Sequence, residues 1–318
     1  MRVITDIASR PEGVTATALT IGVYDGVHLG HRAVLSEVCR QAEEMGVASC
    51  VVTFDPHPAE IVRPESAPHL LTDIDQRLEL LASTGVDLAV LIHFDEARAG
   101  ESAEDFVRQT LVGALGVQLV VVGEDFHFGR RRQGNVALLE EMGAELGFAV
   151  HGHHLVGPDG ADALDEATVS STAIRRALVE ARLADANAML GRPHEMRGPV
   201  VEGDRRGREV GFPTANVAIG PRMLHPADGI YAGHLVRAAG ERLPSAIYVG
   251  HRPTFYSEGA ATVIESHCLG WKGDIYGERV GVTFEHRLRG DQRFESVEEL
   301  IDQLQVDCLQ AATLLQHE

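Results

Sequence analysis

The stretch TIGVYDGVHLGHRAVL, residues 20–35, passes from an apolar run into a helix-like pattern through a loop that is rich in glycine. Apolar residues continue at helical spacing beyond the loop, at Val34, Leu35, Val38, Ala42 and Met45. A buried strand followed directly by an amphipathic helix is the repeating unit of an α/β fold, and glycine is a common helix end. The stretch therefore predicts a strand, a tight loop and a helix that ends at Gly46.

The same alternation of apolar runs and amphipathic stretches fills the first half of the chain. The further runs are VASCVVTF (47–54), DLAVLIHF (87–94), VQLVVVG (117–123) and FAVHGHHL (148–155). Another helix is expected to start at Ser102, with Asp105 in an imperfect capping box. This rhythm predicts a mostly parallel sheet covered by helices. Its strand-to-helix loops would share one edge, where open α/β sheets bind ligands.

The pattern changes between residues 183 and 191, and we predict two domains, 1–186 and 187–318. Beyond the boundary come short β-like runs: GPVVEGD (198–204), GIYAGHLV (229–236), PSAIYVG (244–250), ATVIESHCL (261–269) and ERVGVTFEHRL (278–288). Short strands with frequent turns predict a small β-barrel or a sandwich. A last helix is expected after Ser296, which forms a capping box with Glu299. Its apolar stripe would be Leu300, Ile301, Leu304, Cys308, Leu309, Ala312 and Leu315.

Composition narrows the class of protein. The chain has 318 residues, 44% of them hydrophobic, and a formal net charge of −19, which fits a globular protein and disfavours nucleic-acid or membrane partners. An anionic substrate would need a local basic patch. The sequence has neither an apolar run long enough to span a bilayer nor a signal-like N-terminus, so we expect a cytoplasmic location. The four cysteines form no CxxC pair and are expected to be reduced. Homo-oligomerisation is left open.

Two histidines, His28 and His31, mark the loop between the first strand and the first helix. Helix N-termini attract anions, and Gly22, Gly26 and Gly30 would let the backbone approach a ligand closely. A pair of imidazoles there suits the negative charge that develops on phosphate oxygens during nucleotidyl transfer. Taken alone, an HxGH pair is more often two exposed loop histidines.

Further polar loops are predicted at the same edge of the sheet. TFDPHP (53–58) follows the second strand, and VVGEDFHFGRRRQGN (121–135) carries three successive arginines. VSSTAIRRAL (169–178) places hydroxyls at a helix start. Each alone is ordinary: a turn, a solvated charge run or an N-cap. Together with the HxGH loop they predict a phosphate-handling site.

Four of these segments, in chain order, resemble a known module. GVYDGVHLGH, TFDPHP, VVGEDFHFG and SSTAIR are similar to the FAD synthetase module of prokaryotic bifunctional riboflavin kinase/FMN adenylyltransferases, which are HxGH nucleotidyltransferases with a Rossmann-like fold. The resemblance implies adenylylation of FMN by ATP, with His28 and His31 as catalytic residues. It implies nucleotide contacts by Gly22, Asp25, Gly26, Gly30, Ser171, Thr172 and Arg175. It implies flavin contacts by His57, Asp125, Phe126 and Phe128.

The second half has its own signature, GDRRGREVGFPTAN, residues 203–216. A glycine-rich basic loop that leads into Thr214 and Asn216 offers N–H groups, a hydroxyl and an amide oxygen to phosphate and Mg²⁺. It is not a Walker A loop, because the GKS/T ending is absent. The alternative for a part of this string is a hairpin loop with a structural asparagine.

The whole string resembles the riboflavin kinase module of the same family, as do DGIYAG, RPTF, VIESHCL and GDIYGERVGVTFEHRLRGDQRF. The resemblance implies a small β-barrel that transfers the γ-phosphoryl group of ATP to riboflavin, with Mg²⁺. Riboflavin's ribityl hydroxyl is a weak nucleophile, and Glu265 matches the family's catalytic base. The implied phosphate contacts are Gly203, Gly207, Gly211 and Pro213, the implied metal ligands Thr214 and Asn216, and the further flavin contacts Trp271 and Arg289.

Some residues depart from the family pattern. Tyr24 and Trp271 stand where Phe is usual, and Asp125 stands where Asn is common. A carboxylate near anionic FMN and ATP is unfavourable unless Mg²⁺ or an arginine offsets it. Three alternatives therefore stay open: a riboflavin kinase with a vestigial first domain, an enzyme for a modified flavin, and a non-catalytic flavin-binding protein. Trp271 is read either as part of the flavin pocket or as a core aromatic.

Overall fold

The protein consists of two compact units. The computed structural model describes residues 1–5, 7, 10–153, 169–203, 207, 210–250 and 263–316. The first unit comprises Met1–Pro68 and Ile74–Ser170, and the second comprises His69–Asp73 and Ser171–Glu318. The predicted boundary between residues 186 and 187 stays a prediction.

A six-stranded sheet forms the centre of the first unit, with strand order β1-β4-β3-β2-β5-β8 and every pairing parallel. The strands are β1 (Arg2–Ile4), β2 (Thr17–Ile21), β3 (Ala48–Asp55), β4 (Leu88–His93), β5 (Val117–Gly123) and β8 (Ala149–His153), and β6 (His127–Phe128) pairs with β7 (Gly134–Asn135) as a separate hairpin. The predicted parallel sheet is confirmed. Its edge strand β1 was not predicted, because three residues are too few to show a pattern.

Helices connect these strands. They are α1 (Leu29–Met45), α2 (Pro58–Val62), α3 (Ile74–Ala82), α4 (Glu96–Gly100), α5 (Ala103–Asp105), which continues as a π-helix over Phe106–Ala114, and α6 (Val136–Leu146). As predicted, α1 ends at Gly46, which has a left-handed φ of 67°. The helix begins at Leu29, so His31 lies in its first turn rather than in the loop. Ser102 caps α5 by accepting the N–H of Asp105 at 3.0 Å.

The core of the first unit lies on both faces of the sheet. Every residue of β2 is buried, as expected for a central parallel strand covered by helices. Leu19 and Val52 pack on one face with Leu111, whereas Val51 packs on the other with Leu35 of α1. Because all strands run in the same direction, the loops that follow β2, β3 and β5 leave from the same edge.

Six antiparallel strands close into a barrel in the second unit. The order is β12-β13-β10-β9-β14-β11, and β11 pairs back to β12. The strands are β9 (His194–Val201), β10 (Ala215–Ala218), β11 (Gly229–Val236), β12 (Arg242–Val249), β13 (Val263–Cys268) and β14 (Arg279–Phe284), with β15 (His286–Arg289) added to β11. The β11–β12 pairing decides between the two predicted architectures in favour of the barrel.

Within its described residues, the second unit also has three helices and a short segment. The helices are α7 (Ser171–Val179), α8 (Leu183–Leu190) and α9 (Val297–Leu315). Ser296 caps α9 by accepting the N–H of Glu299 at 3.1 Å, as predicted. The segment His69–Asp73 reaches this unit from within the first half of the chain. Leu70 donates its N–H to the carbonyl of Arg222 at 2.7 Å and accepts the N–H of Leu224 at 2.8 Å.

The predicted apolar stripe of α9 is wrong in one respect: Leu309 is 70% exposed. The positions of α9 that are fully buried are Asp307 and Ala311. Asp307 tolerates burial because Arg289 donates to its carboxylate from Nε at 3.0 Å and from Nη2 at 2.7 Å. An ion pair therefore fixes the rotation of this helix, which a periodicity of apolar residues does not reveal.

All four cysteines are free thiols, with Cys50 and Cys268 buried and Cys39 and Cys308 half-buried. Among the residues that the structure describes, none of the helices combines the length and the apolar character needed to cross a membrane.

A buried histidine makes the stability of the second unit depend on pH. Burial lowers the pKa of His194 to about 3, and the charges of Arg192 and His225 add to this effect. The unfolded chain would protonate this group near pH 6.5 whereas the folded chain keeps it neutral, so stability is lost as the pH falls from about 6.5 toward 3.

We expect His194→Gln to remove this dependence. Between pH 7 and pH 5 the free energy of unfolding should fall by about 2 kcal/mol more in the unchanged protein than in the variant. Urea unfolding at both pH values measures the difference, and His151→Gln, at an exposed position of β8, serves as the control. Equal pH dependence in the unchanged protein and His194→Gln would contradict the assignment.

Candidate active sites

The loop that follows β2 brings His28 and His31 together. His28 is the N-cap of α1, and its Nδ1 accepts the N–H of His31 at 3.3 Å. The two rings stack with centroids 3.6 Å apart and an interplanar angle of 19°. A ring nitrogen that accepts a hydrogen bond carries no proton, so neutral His28 carries its proton on Nε2. The N-cap bond therefore leaves His28 with a hydrogen-bond donor on the other side of its ring.

An unusual backbone shapes this loop. Tyr24 and Val27 have φ values of 56° and 39°, and Gly26 has 84°. Positive φ at a residue with a side chain costs roughly 1–3 kcal/mol and is concentrated at functional sites. The Tyr24 ring is anchored by a 2.6 Å hydrogen bond between its hydroxyl and Thr20 Oγ1. Burial raises the pKa of Tyr24, so this hydroxyl stays protonated.

The glycines of the loop also have a packing reason. A Cβ on Gly22 would lie 2.9 Å from Cε2 of Tyr24, and one on Gly30 would lie 3.3 Å from the His28 ring. Asp25 is only 2% exposed and lies inside the loop. Two of the three glycines predicted to admit a ligand thus make room for the aromatic rings of the loop itself.

The loop that follows β3 repeats the histidine N-cap. His57 precedes α2, and its Nδ1 accepts the N–H of Ala59 at 3.0 Å. Pro58 occupies the first helical position, where its missing N–H is not needed. Neutral His57 therefore also carries its proton on Nε2.

Sequence reasoning missed Arg77, which joins the loop after β2 to the end of β3. This arginine of α3 has a side chain only 4% exposed. Its Nη1 donates to the carbonyl of Val23 at 3.0 Å, and its Nη2 donates to the carbonyl of Phe54 at 3.1 Å. Nη2 also lies 3.5 Å from Oδ1 of Asp55. An arginine in an amphipathic helix usually faces solvent, so nothing in the local pattern distinguished this residue.

The segment between β5 and β6 carries the predicted flavin contacts of the first unit. Asp125 is exposed, and Phe126 is half-buried. The ring of Phe126 stacks on Phe128 at 5.5 Å and 11°. Phe128 is 8% exposed and belongs to the core beside Phe106. Phe128 therefore supports Phe126 from below, whereas Asp125 and Phe126 reach the surface.

Ser171, Thr172 and Arg175, predicted to contact the nucleotide with His28 and His31, lie on α7 and belong to the second unit. Arg175 donates from Nε to the carbonyl of His69 at 2.7 Å. Their contact with the nucleotide stays a prediction.

In the second unit, Thr214, Asn216 and Glu265 lie together on the barrel wall. Asn216 of β10 and Glu265 of β13 are directly paired across the two strands. The hydroxyl of Thr214 donates to Oε2 of Glu265 at 3.5 Å. Glu265 is half-buried and Asn216 is 6% exposed. Residues far apart in the chain thus present a hydroxyl, an amide and a carboxylate at one place.

The glycine-rich loop folds back on these residues. A Cβ on Gly203 would lie 2.5 Å from Nδ2 of Asn216, so this glycine permits the loop to pass directly over the amide. The carbonyl of Gly207 accepts the N–H of Phe212 at 2.7 Å. Gly211 has a φ of 91°, which favours glycine. The carbonyl of Pro213 is held by Nδ1 of His267 at 2.8 Å. The predicted arginines 205, 206 and 208 and the motif at 252–255 lie outside the described residues.

A cavity of about 350 Å³ opens beside this group. Its lining includes Pro213, Thr214, Ser266, Trp271, Ile275 and Tyr276. Trp271 lies in the wall of this cavity and is half-buried, and its contact with a flavin stays a prediction. The cavity combines apolar walls with polar groups at Thr214, as small-molecule sites commonly do.

Arg289, predicted to contact flavin, is held by Asp307 as described above. Its Nη1 also donates to the carbonyl of Gly290 at 3.1 Å, and Gln303 donates to Oδ1 of Asp307 at 2.9 Å. The structure thus gives Arg289 a role in attaching α9 to the barrel. A flavin contact of Arg289 stays a prediction.

Comparisons with known proteins identify a family for each half of the chain. A family model described as FAD synthetase matches residues 11–173, and one described as riboflavin kinase matches residues 190–315. Similar curated proteins are named bifunctional riboflavin kinase/FMN adenylyltransferase. The one from Escherichia coli (strain K12) is 37% identical over 92% of this chain and 91% of its own. The one from Pseudomonas fluorescens is 39% identical over 96% of this chain and 94% of its own.

Among solved structures, a Streptococcus pneumoniae protein described as a macrolide-efflux protein has a TM-score of 0.83 to this chain at 28% identity. The match covers 96% of this chain and 97% of that one, so the same succession of folds is present in both. Since both family models match in order, and relatives with both activities in their names match over nearly their full length, the chain belongs to the family of bifunctional riboflavin kinase/FMN adenylyltransferases.

Proposed function

We propose that the second unit phosphorylates riboflavin with ATP to give FMN, and that the first unit adenylylates FMN with a second ATP to give FAD and pyrophosphate. The observation that carries this proposal is the group formed by Thr214, Asn216 and Glu265 beside the cavity. Its counterpart in the first unit is the stacked pair of His28 and His31 at the N-terminus of α1. Each unit thus has its own ATP site.

In the kinase reaction, Glu265 is the general base. The ribityl hydroxyl must lose its proton as the γ-phosphoryl group arrives, and a carboxylate within hydrogen-bond reach can take it. Thr214 orients one oxygen of this carboxylate. The backbone around Gly203, Gly207, Gly211 and Pro213 supplies N–H groups and close approach for the phosphates of ATP.

The residues of this site also fit Mg²⁺. The hydroxyl of Thr214 and the amide oxygen of Asn216 are hard oxygen ligands, and Mg²⁺ is commonly held by few protein ligands together with substrate phosphates. Bound there, the ion would neutralise negative charge on the transferring phosphates. Gly203 leaves room for the amide of Asn216, because a side chain at 203 would collide with it.

Adenylyl transfer requires no base, because the phosphate of FMN is already ionised at neutral pH. The task is to stabilise charge on the α-phosphate of ATP. Nε2–H of His28 and the N-terminus of α1 supply donors that are fixed before the reaction. Gly22, Asp25, Gly26 and Gly30 shape the loop around them. Ser171, Thr172 and Arg175 are further proposed contacts of the nucleotide.

The flavin of FMN would lie against Phe126, with His57, Asp125 and Phe128 nearby in the same unit. Trp271 and Arg289 are the proposed flavin contacts of the kinase unit. We place the boundary between the two activities at residues 186 and 187, within α8. This is supported by the limits of the two family models, which end at 173 and begin at 190.

We propose that the enzyme works in the cytoplasm on small molecules, namely riboflavin, FMN and ATP, without a nucleic-acid or membrane partner. The free thiols support a reducing compartment. The acidic net charge of −19 supports the absence of a nucleic-acid partner.

Chromatography of reaction products tests the proposal. Purified protein is incubated with ATP and Mg²⁺ and, in separate tubes, with riboflavin or FMN. We expect FMN and then FAD in the first tube and FAD in the second. FMN alone in the first tube and no FAD in the second would identify a kinase with an inactive first unit and direct attention to Asp125. A protein that gives neither product and retains flavin would be a carrier.

The position of Arg77 leads to a further prediction for the first unit. We expect Arg77→Met to lower the free energy of unfolding by about 2 to 4 kcal/mol, because hydrogen bonds from a buried charged group are lost. FAD formation from FMN should fall by about 10- to 100-fold, since the loop that carries His28 is no longer joined to the end of β3, which leads into the His57 loop. FMN formation by the same preparation should not change.

Urea unfolding and the two product assays measure these effects. Arg40→Met is the control, because Arg40 is exposed on α1 and pairs there with Glu37 and Glu44. Adenylyl transfer at the full rate in a folded Arg77→Met protein would show that the loops keep their positions without this arginine.

A further inference from the structure

Trp271 is the only tryptophan of the chain, and it lies in the cavity of the second unit. The residues that follow it, Lys272, Gly273 and Asp274, are exposed, and Trp271 itself is half-buried. Part of the indole therefore lies open to solvent, and the groups that contact the ring contribute to its orientation.

Arg237 provides one such group. Its guanidinium carbon lies over the indole at 5.9 Å from the ring centroid, within the range of a cation–π contact. Gly273 provides another, because any side chain at this position would collide with the six-membered ring of Trp271. The indole therefore packs directly against backbone at Gly273 and against a cation at Arg237.

Arg237 is itself held by two carboxylates. Its Nη2 donates to Oε2 of Glu278 at 3.0 Å, and its Nη1 donates to Oε2 of Glu241 at 2.8 Å. Glu278 also accepts the N–H of Ala238 at 3.1 Å. The hydrogen bonds from Arg237 hold the pKa of Glu278 below its usual value, so this carboxylate keeps its charge in mild acid. The network joins the β11–β12 turn to the segment that carries Trp271.

We propose that Arg237, fixed by Glu278 and Glu241, is a positioning residue that orients Trp271 as the aromatic wall for the planar nitrogen heterocycle of a kinase substrate. This inference rests on the proposed kinase activity of the second unit. Two substrates carry such a ring: the adenine of ATP and the isoalloxazine of riboflavin. Stacking on an aromatic side chain is the shared chemistry. An indole that is oriented before binding saves the cost of ordering it when the substrate arrives.

The test compares Arg237→Met with Arg237→Lys in the full-length protein. Met removes the charge and keeps an apolar chain, whereas Lys retains a cation for the ring. We expect Arg237→Met to shift the emission of Trp271 to longer wavelength and to make it more accessible to acrylamide. The KM of one substrate should rise about two- to fivefold with kcat nearly unchanged, which corresponds to a cation–π contact at a partly exposed site. Arg237→Lys should restore part of both effects.

The change in the KM of each substrate shows which heterocycle stacks on Trp271. A higher KM for ATP alone assigns the wall to adenine, and a higher KM for riboflavin alone assigns it to isoalloxazine. Gly273→Ala should give the same KM change, because it displaces the indole without removing a charge. Arg182→Met is the matched control, since Arg182 pairs with Glu180 and Asp185 in the same unit.

Unchanged emission in Arg237→Met, unchanged KM values, or equal rises in both KM values would overturn the proposal. So would the same effects in Arg182→Met. If the unchanged protein forms no FMN, the proposed function fails. The emission of Trp271 then still reports whether Arg237 orients this ring, with ADP as the probe of binding. An emission that changes neither in Arg237→Met nor on addition of ADP would overturn the inference independently of the proposed function.

Discussion

Replacing Glu265 by glutamine should lower the rate of FMN formation by about 10²- to 10⁴-fold, the usual contribution of a general base. Glutamine has nearly the same shape and can still accept the hydrogen bond from Thr214, but it cannot take a proton from riboflavin. Because the variant changes chemistry rather than packing, the KM values should change little. FAD formation from supplied FMN should stay at the level of the unchanged protein.

The two product assays on one preparation measure both effects. Glu298→Gln, at an exposed position of α9, is the control for loss of a negative charge. FMN formation by Glu265→Gln at the normal rate would show that another group, or water, accepts the proton. The partner variant Thr214→Val should also lower FMN formation, because it removes both the hydrogen bond to Glu265 and a proposed Mg²⁺ ligand.

Variants of the histidine pair should have the opposite pattern. We expect His28→Asn to lower FAD formation from FMN by about 10²- to 10³-fold, the usual effect of removing one fixed donor that stabilises transition-state charge. Asparagine is a good N-cap, so α1 keeps its first turn while the donor Nε2–H is lost. His31→Ala should have an effect of similar direction, because it removes the ring that stacks on His28.

FMN formation by these variants is the internal control, and it should not change. His151→Asn, on β8, shows whether loss of any exposed histidine of this unit affects adenylyl transfer. A full yield of FAD from FMN in the double variant of His28 and His31 would refute a role for the pair. A loss of helix content together with the loss of rate would instead point to the capping bond.

Periodicity in the sequence was enough to predict the parallel sheet of the first unit apart from its edge strand β1. A central strand such as β2 is buried on both faces and therefore appears as an uninterrupted apolar run, and α1 shows its buried face through Leu35, Val38 and Ala42. The barrel of the second unit was harder to predict from the sequence. Closure depends on the pairing of β11 with β12, which is a tertiary contact that no local pattern reports.

The residues of the candidate sites also differ in how well the sequence alone predicts them. Motifs with fixed spacing, such as the histidine pair and the group of Thr214 and Asn216, could be read directly from the sequence. Arg77 could not, because only the fold brings its guanidinium to the carbonyls of Val23, in the loop after β2, and Phe54, at the end of β3. Nor could the engagement of Arg289 by Asp307, which joins a strand to a helix across the chain. Buried ion pairs leave no periodic signal, since one charge among apolar positions resembles an interruption.

The second unit is not one continuous piece of the sequence, because it includes the segment His69–Asp73. The second unit takes this segment from the middle of the first, where Leu70 is bound between Arg222 and Leu224, and Asp73 pairs with Arg279 at 2.7 Å. A gene cut at codon 187 would encode a kinase fragment without residues that its own unit binds. A co-expressed fragment that contains residues 69–73 could supply them in trans. The predicted boundary between residues 186 and 187 is therefore a poor place to cut the polypeptide.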